Sequence, residues 1–415
     1  MLNGRNGDRY DIAGQPFAKG GEGEIYNILN MPGYVIKAYK DAESAREREG
    51  KLLAMVSAKP DEAQLKQIAW PLDVVYTNGG HFVGFVMEKL DISDDLNVVY
   101  EYGPTSKYAT EPWRKKIIIA RNLCAVMNSI HEAGHIIGDF NPKNISVNTQ
   151  TGRITMLDTD SYHIMDGKFR CMVGMPDYLP PEVQKKMKKP GLAEAMLPTF
   201  TKESDRFALA IHIFQLLMNG VHPFATASLP GYENLPMLSL SENIMRGNCA
   251  FVTRVKGKTV PRFAPPIATL PKRLYRLFKR AFTVGMKKPS ARPSIADWYK
   301  ALEGLEVNLR TCNRIPYHEY HRSQKKCPWC TADQAFAGTI KKSKEKVAKA
   351  TKERAKKEKR QEEREVTIMT NEGKIKRIKR PRRRMRINRE TRELIGFGLL
   401  IAGLAIAAFV IMLVT

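Results

Sequence analysis

Between His135 and Tyr162 the chain reads HIIGDFNPKNISVNTQTGRITMLDTDSY. Asp139 is followed five residues later by Asn144, and Asp158 and Asp160 stand beyond a turn. Carboxylate and amide oxygens are what a hard divalent cation takes as ligands, and such a cation travels with phosphate groups. An aspartate left free of the metal can accept a hydroxyl proton. Upstream, KGGEGEIY around Gly20, Gly21 and Gly23 is a turn whose bare backbone N–H groups could approach an anion, and VIK places Lys37 on a short apolar run. Singly each is ordinary: glycine-rich turns are mostly turns, strand lysines are mostly solvated, and an aspartate before a helix is mostly a cap. The chemistry needs elements that bring them together.

A second cluster joins Cys312 and His318 to Cys327-Pro-Trp-Cys330. Cys-x2-Cys presents two thiolates to one tetrahedral ion, and Cys312 with a histidine completes a Cys₃His set for structural zinc. We favour His318 as that histidine, with His321 as the alternative. A redox use of Cys-x-x-Cys is disfavoured because no βαβ pattern surrounds it. Cys124, Cys171 and Cys249 read as packed thiols.

The first 90 residues read as strands and turns with one helix. WPLDVVYTNGGHFVGFVMEKL is two strand-like runs joined by Asn-Gly-Gly, a hairpin signal. DAESAREREGKLLAMVSA has helical spacing, with Leu52, Leu53 and Val56 as the apolar face. WRKKIIIARNLCAVMNSIHEAG is a long amphipathic helix stopped by Gly134, and the chain stays helix-rich to Leu305. We therefore expect an α+β fold, a small sheet lobe at 1–90 and a larger helical lobe at 91–305 with a cleft between them. The zinc-binding segment would cover 306–335 and a basic linker 336–393.

Lys and Arg exceed Asp and Glu by 68 to 43, and the excess is uneven: from Ile340 to Leu394 there are 23 basic and 9 acidic residues. That composition excludes a fold that is basic throughout and marks a solvated segment instead. Leu394 to Thr415, LIGFGLLIAGLAIAAFVIMLVT, has 22 residues and no charge, enough for a helix to span a ~30 Å hydrocarbon core. Eleven Lys and Arg against one Glu precede it from Lys374 to Arg392, a charge that stays on the cytoplasmic side. We expect a single-pass C-terminal tail anchor at 394–415, anionic lipid bound by the linker, and the rest of the chain in the cytoplasm. The start, MLNGRNGDRYDIAG, has no apolar h-region, so no secretory signal is expected. Nucleic-acid binding is disfavoured, since the basic tail lacks interleaved aromatics.

Order and spacing carry more than any single motif. A glycine-rich hairpin, a strand lysine, a helix glutamate, Asp-x4-Asn, a further Asp, Pro-Pro-Glu and a helix opened by Ser-Asp follow one another from about Phe17 to Leu305. In this the chain resembles the protein kinase superfamily, with its eukaryotic-like Ser/Thr kinase fold. The signatures GGEGEIY, GDFNP and DTDSY are similar to divergent bacterial kinases that often end in a zinc-binding piece. The resemblance implies a bilobal fold binding ATP with Mg²⁺ (or Mn²⁺) and acting on protein hydroxyls.

Carried over residue by residue, it implies that Gly20, Gly21, Gly23 and Ile25 cover the nucleotide and that Lys37 holds its α/β-phosphates. Glu49 would be the partner of Lys37, with Glu47 as the fallback. Met87 falls at the gatekeeper, with Glu88 and Leu90 in the hinge. Asp139 takes the catalytic position, and Asn144 and Asp158 take the metal. Glu182 would pair with a buried Arg292, and Asp205 would brace the catalytic loop. Three departures stand out: Gly138 replaces an arginine, Asn141 replaces a lysine, and Asp-Phe-Gly has become Asp-Thr-Asp. Asp160 is thereby open to a metal role, and Lys143 to supplying the lost charge. The resemblance implies a membrane-anchored Ser/Thr kinase; the alternative is a pseudokinase scaffold that binds ATP without turnover.

Overall fold

The computed structural model describes residues 1–61, 65–103, 106–164, 168–187, 200–262, 264–338 and 353. Two compact units divide the chain: Met1–Val260 with Ala264–Cys330, and Pro261–Phe263 with Thr331–Thr415. In the second unit residues 331–338 are helical. Most of the basic linker (339–352 and 354–393) and the whole apolar segment 394–415 lie outside the described residues. Among the described residues no helix is long and apolar enough to cross a membrane.

The first unit mixes a curled antiparallel sheet with helices. Its strands are β1 (Leu2–Gly4), β2 (Arg9–Tyr10), β3 (Ala18–Lys19), β4 (Gly23–Asn27), β5 (Tyr34–Tyr39), β6 (Asp73–Tyr76) and β7 (Phe82–Glu88), in the order β2-β1-β6-β7-β5-β4-β3. Period-two alternation sets the two faces of β5. Ile36 turns inward onto Leu2, Tyr10, Ile28, Val75 and Val86, while Lys37 turns to the other face. The hairpin expected at Asn-Gly-Gly joins β6 to β7, with Gly80 at φ +77°. Gly84 permits close strand approach: a Cβ there would lie 1.9 Å from the Lys37 carbonyl oxygen. The polar N-terminal stretch also enters the sheet, as β1 and β2, where the Tyr10 hydroxyl donates to Asp73 Oδ2 at 2.8 Å.

One helix crosses the sheet, α1 (Ala42–Ser57), begun where Asp41 accepts from the Ser44 amide at 2.7 Å. Its buried side is Ala45, Lys51, Leu52 and Met55. Leu53 and Val56, expected on the apolar face, are only half-buried. The helix is thus rotated toward Lys51.

Beyond the sheet come β8 (Asp94–Asp95), α2 (Leu96–Tyr100) and α3 (Trp113–Glu132), the long helix read from its periodicity. Ile117, Ala120, Cys124, Met127 and His131 recur along its buried side. The hairpin of β9 (Ile145–Asn148) and β10 (Arg153–Met156) follows. Helices α4 (Pro181–Met187), α5 (Lys202–Leu217), α6 (Leu240–Arg246), α7 (Lys272–Phe282), α8 (Val284–Lys287) and α9 (Ile295–Glu306) complete the helical part, with β11 (Ala227–Ser228) paired to β12 (Lys258–Thr259). Helix α5 is buried almost throughout and opens on a capping box between Thr201 and Ser204. It is the rigid post on which the Asp139 loop hangs. Last, β13 (Leu309–Thr311) and β14 (Glu319–His321) form a hairpin inside the same unit.

Candidate functional site

Two backbone amides fix the loop before β9. Asp205, 1% exposed, accepts from the Ile137 amide at 2.8 Å and the Gly138 amide at 3.0 Å, and its Oδ2 lies 2.9 Å from His131 Nε2. Gly138 has φ +75°, and Cys171 fills the space its side chain would need. Beyond this brace, the Asp139 carboxylate receives the Met175 amide at 3.0 Å and Asn141 Nδ2 at 2.9 Å. Asn144 Nδ2 donates to the Asp139 carbonyl at 3.3 Å, so its amide oxygen is the atom left for a metal. Asn141 Oδ1 also accepts from the Lys143 amide at 2.9 Å, which shapes the turn Pro142–Asn144. Asn141 therefore ties the Asp139 carboxylate to its own loop.

Lys37 meets the other acids. Its Nζ lies 2.7 Å from Asp158 Oδ1 and 2.8 and 2.9 Å from the two oxygens of Asp160. Asp158 holds a left-handed conformation, φ 54°, uncommon for a non-glycine residue. The tight turn Thr159–Ser161 that follows brings Asp160 to the same ammonium. Burial opposes ionisation of Asp160, yet the Lys37 ammonium and the Tyr39 hydroxyl outweigh it and hold the carboxyl below its ordinary value. Asp158 moves the other way: burial, and then the Asp160 charge, raise it against the pull of Lys37. Lys37 stays protonated, because the two carboxylates overcome its desolvation.

Glu49 does not partner Lys37. Its Oε1 accepts from the Tyr76 hydroxyl at 2.8 Å, and the fallback Glu47 is exposed. At 3.6 residues per turn, Glu49 lies ~200° round the helix from Lys51, the residue buried against the acids. Arg48 stands 5.2 Å over the Tyr39 ring and pairs with Glu22 at 3.0 Å. On this side α1 carries cations where a carboxylate was expected.

A cavity of about 880 Å³ opens between the glycine turn, β5, β7 and the Asp139–Asp160 loops. All ten residues assigned to cofactor binding line it: Gly20, Gly21, Gly23 and Ile25 on one wall, Met87, Glu88 and Leu90 on a second, and Lys37, Asn144 and Asp158 at the polar end. Asp139 is outside the lining and reaches it through Asn144. Val35, Ala69 and Leu157 add apolar surface that motif reading passed over, though each sits in an apolar run beside a named residue. Exposed Lys143 also faces the cavity, and its charge acts on Asp95. The support residues fall where the motif order put them: Arg292, 2% exposed, contacts Glu182 at 2.8 and 2.9 Å.

The cysteine cluster passes a geometric test. Cys312 Sγ is 3.7 Å from Cys330 Sγ, and His318 Nδ1 is 3.7 Å from Cys327 Sγ and 3.6 Å from Cys330 Sγ. Tetrahedral zinc with its usual bond lengths needs about 3.8 Å between two sulfurs and about 3.6 Å between sulfur and nitrogen. His321 instead directs Nδ1 to Ser323 Oγ at 2.7 Å, so the set is Cys312, His318, Cys327 and Cys330. The β13–β14 hairpin brings Cys312 and His318 together, with the Cys312 amide donating to the His318 carbonyl at 2.8 Å. Trp329 locks this piece to α3, edge-on to Trp113 at 5.0 Å, while Arg114 binds Glu319.

Lys51 is 8% exposed and, among the described residues, has no hydrogen-bond partner. Burial pushes its ammonium from 10.5 down to about 8 despite the nearby Asp160 and Asp158 carboxylates. The folded state therefore bears the full cost of this charge below pH 8, and stability recovers as pH rises toward 10.5, where the unfolded chain also loses the proton. Lys51→Met should raise stability at pH 7 by up to about 3 kcal/mol. The gain should shrink toward pH 10 in denaturant titrations; a gain independent of pH would contradict this.

No family model matches the chain. It is similar to Protein kinase YegI of Escherichia coli O157:H7 and of Escherichia coli strain K12, at 29% identity over 338 residues in each. The match covers 77% of this chain and 48% of each relative, so the chain spans about half the length of the curated relatives it matches. With the geometry above, that likeness supports a protein kinase-like family.

Proposed function

We propose that this chain is an ATP-dependent protein kinase that transfers the γ-phosphoryl group to serine or threonine hydroxyls. The observation that carries it is the convergence of Lys37, Asp158 and Asn144 at the polar end of one cavity, with Asp139 one hydrogen bond away. Apolar walls suit an adenine ring, and the Gly20–Gly23 turn suits phosphates. The acceptor oxygen attacks the γ-phosphorus, the bond to the β-phosphate oxygen breaks, ADP leaves, and the hydroxyl proton passes to the Asp139 carboxylate. Asn144 and Asp158 would hold a divalent ion, which would neutralise charge on the phosphates. A second reading is ATP binding without turnover, favoured by Asn141, which occupies Asp139 where a cationic lysine was expected.

Structural Zn²⁺ at Cys312, His318, Cys327 and Cys330 belongs to the same proposal. So does membrane insertion of 394–415, supported by its 22 uncharged residues, with the kinase on the cytoplasmic side and the basic run against anionic headgroups at about 1 kcal/mol per charge.

Two measurements follow. Full chain in detergent with radiolabelled ATP and Mg²⁺ should acquire label or pass it to protein acceptors, and Asp139→Asn and Lys37→Met should lose at least ~10²-fold. No label on wild type, with ATP still raising its melting temperature, would select binding without turnover. Purified chain should hold one zinc by elemental analysis, lost in His318→Ala and Cys327→Ser and kept in His321→Ala. Zinc kept in His318→Ala would refute the assigned set.

A further inference from the structure

Asp158 and Asp160 both touch Lys37, but they are not equivalent. The Asp160 side chain is 2% exposed, and both its oxygens accept from Lys37 Nζ, with a third bond from the Tyr39 hydroxyl at 2.6 Å. The Asp158 side chain is 35% exposed and gives Lys37 one oxygen. Magnesium demands near-octahedral geometry and keeps several waters. Carboxylate oxygens of Glu22, Asp158 and Asp160 lie within 4.8 Å of one another, and of the two aspartates only Asp158 keeps an oxygen free of Lys37 and open to a hydrated ion.

The local fold explains how a second anion reaches the lysine. From the left-handed Asp158 the chain enters the Thr159–Ser161 turn, in which the Thr159 hydroxyl donates to the Ala69 carbonyl at 2.5 Å. The Ser161 hydroxyl donates back to the Asp158 carbonyl at 2.7 Å. These two bonds pin the turn with Asp158 and Asp160 at the same ammonium. Helix α1 offers nothing comparable: Glu49 is held by Tyr76, Arg48 by Glu22 and the Tyr39 ring, and Lys51 is a buried cation.

We propose that Asp160, locked by Tyr39, is the positioning residue for Lys37 and takes the place of a helix glutamate, leaving the divalent ion to Asp158 and Asn144. This rests on the nucleotide reading above. Lysine and counter-ion then lie on β5 and the turn that follows Asp158, so Lys37 is aimed without a carboxylate from α1. When nucleotide binds, Lys37 can give up Asp158 to the metal and keep Asp160.

The test uses full chain in detergent and measures ATP affinity by calorimetry across Mg²⁺ concentrations and in EDTA. Circular dichroism checks that each variant is folded. Asp160→Asn should weaken ATP about tenfold both with Mg²⁺ and in EDTA, leaving the Mg²⁺ midpoint unchanged. Tyr39→Phe should do the same more mildly, about threefold, and Glu49→Gln should stay at the wild-type value. An upward shift of the Mg²⁺ midpoint in Asp160→Asn, with EDTA affinity unchanged, would make Asp160 a metal ligand and overturn the proposal. Loss in Glu49→Gln would overturn it in favour of the helix. Absence of ATP binding by folded wild type would overturn the nucleotide reading itself, and this inference with it.

Discussion

A protonated lysine held between two aspartates, deep at one end of a cavity, is the interaction on which the rest of this molecule turns. Lys37 is 9% exposed, and burying its charge is tolerable only because Asp158 and Asp160 lie within 2.9 Å. Those two acids must be delivered by a turn that strains Asp158 into the left-handed region, and strain of this kind persists where its surroundings over-determine it. The surroundings do so. Hydroxyls of Thr159 and Ser161 fix the turn, the β9–β10 hairpin sets where it begins, and β5 fixes the lysine in register opposite Phe85 of β7.

The helical part plays the complementary role of a fixed base. Asp205 on α5 captures two amides of the Asp139 loop, so the position of that carboxylate is inherited from a helix buried nearly from end to end. The Glu182–Arg292 pair and the Cys/His hairpin clamped to α3 tie the outer segments to the same base. The glycine turn is the open wall of the cavity, where Gly21 has nothing within 4 Å of a would-be Cβ.

Much of this was legible beforehand, because it rests on local spacing. Asp205 follows a Ser-Asp helix start, Cys-x-x-Cys has one natural geometry, and the hairpins at Asn-Gly-Gly and around Thr151 carry their own turn chemistry. The ten residues assigned to cofactor binding came from the kinase resemblance, and they line one cavity. What failed was the one inference that needed the rotation of a helix about its axis. Helix α1 carries Glu47 and Glu49 among basic residues, and the choice of Glu49 rested on the apolar positions behind it, Leu52, Leu53 and Val56. Packing of Ala45, Leu52 and Met55 turned it instead, which buried Lys51 and carried Glu49 to Tyr76. The same gap left Asp160 open to a metal role only, since its contact with Lys37 depends on a turn conformation that no period encodes. The first two strands were missed because they lie in a short, mostly polar stretch, and Asp73 completes the environment of Tyr10 from 63 residues away.

The most direct measurement is a structure of the chain with Mg²⁺ and a non-hydrolysable ATP analogue. The account predicts nucleotide in the 880 Å³ cavity, Mg²⁺ on Asp158 and Asn144, and Lys37 bridging the phosphates to Asp160. Nucleotide elsewhere, or Lys37 turned to Glu49 with Asp160 on the metal, would contradict it.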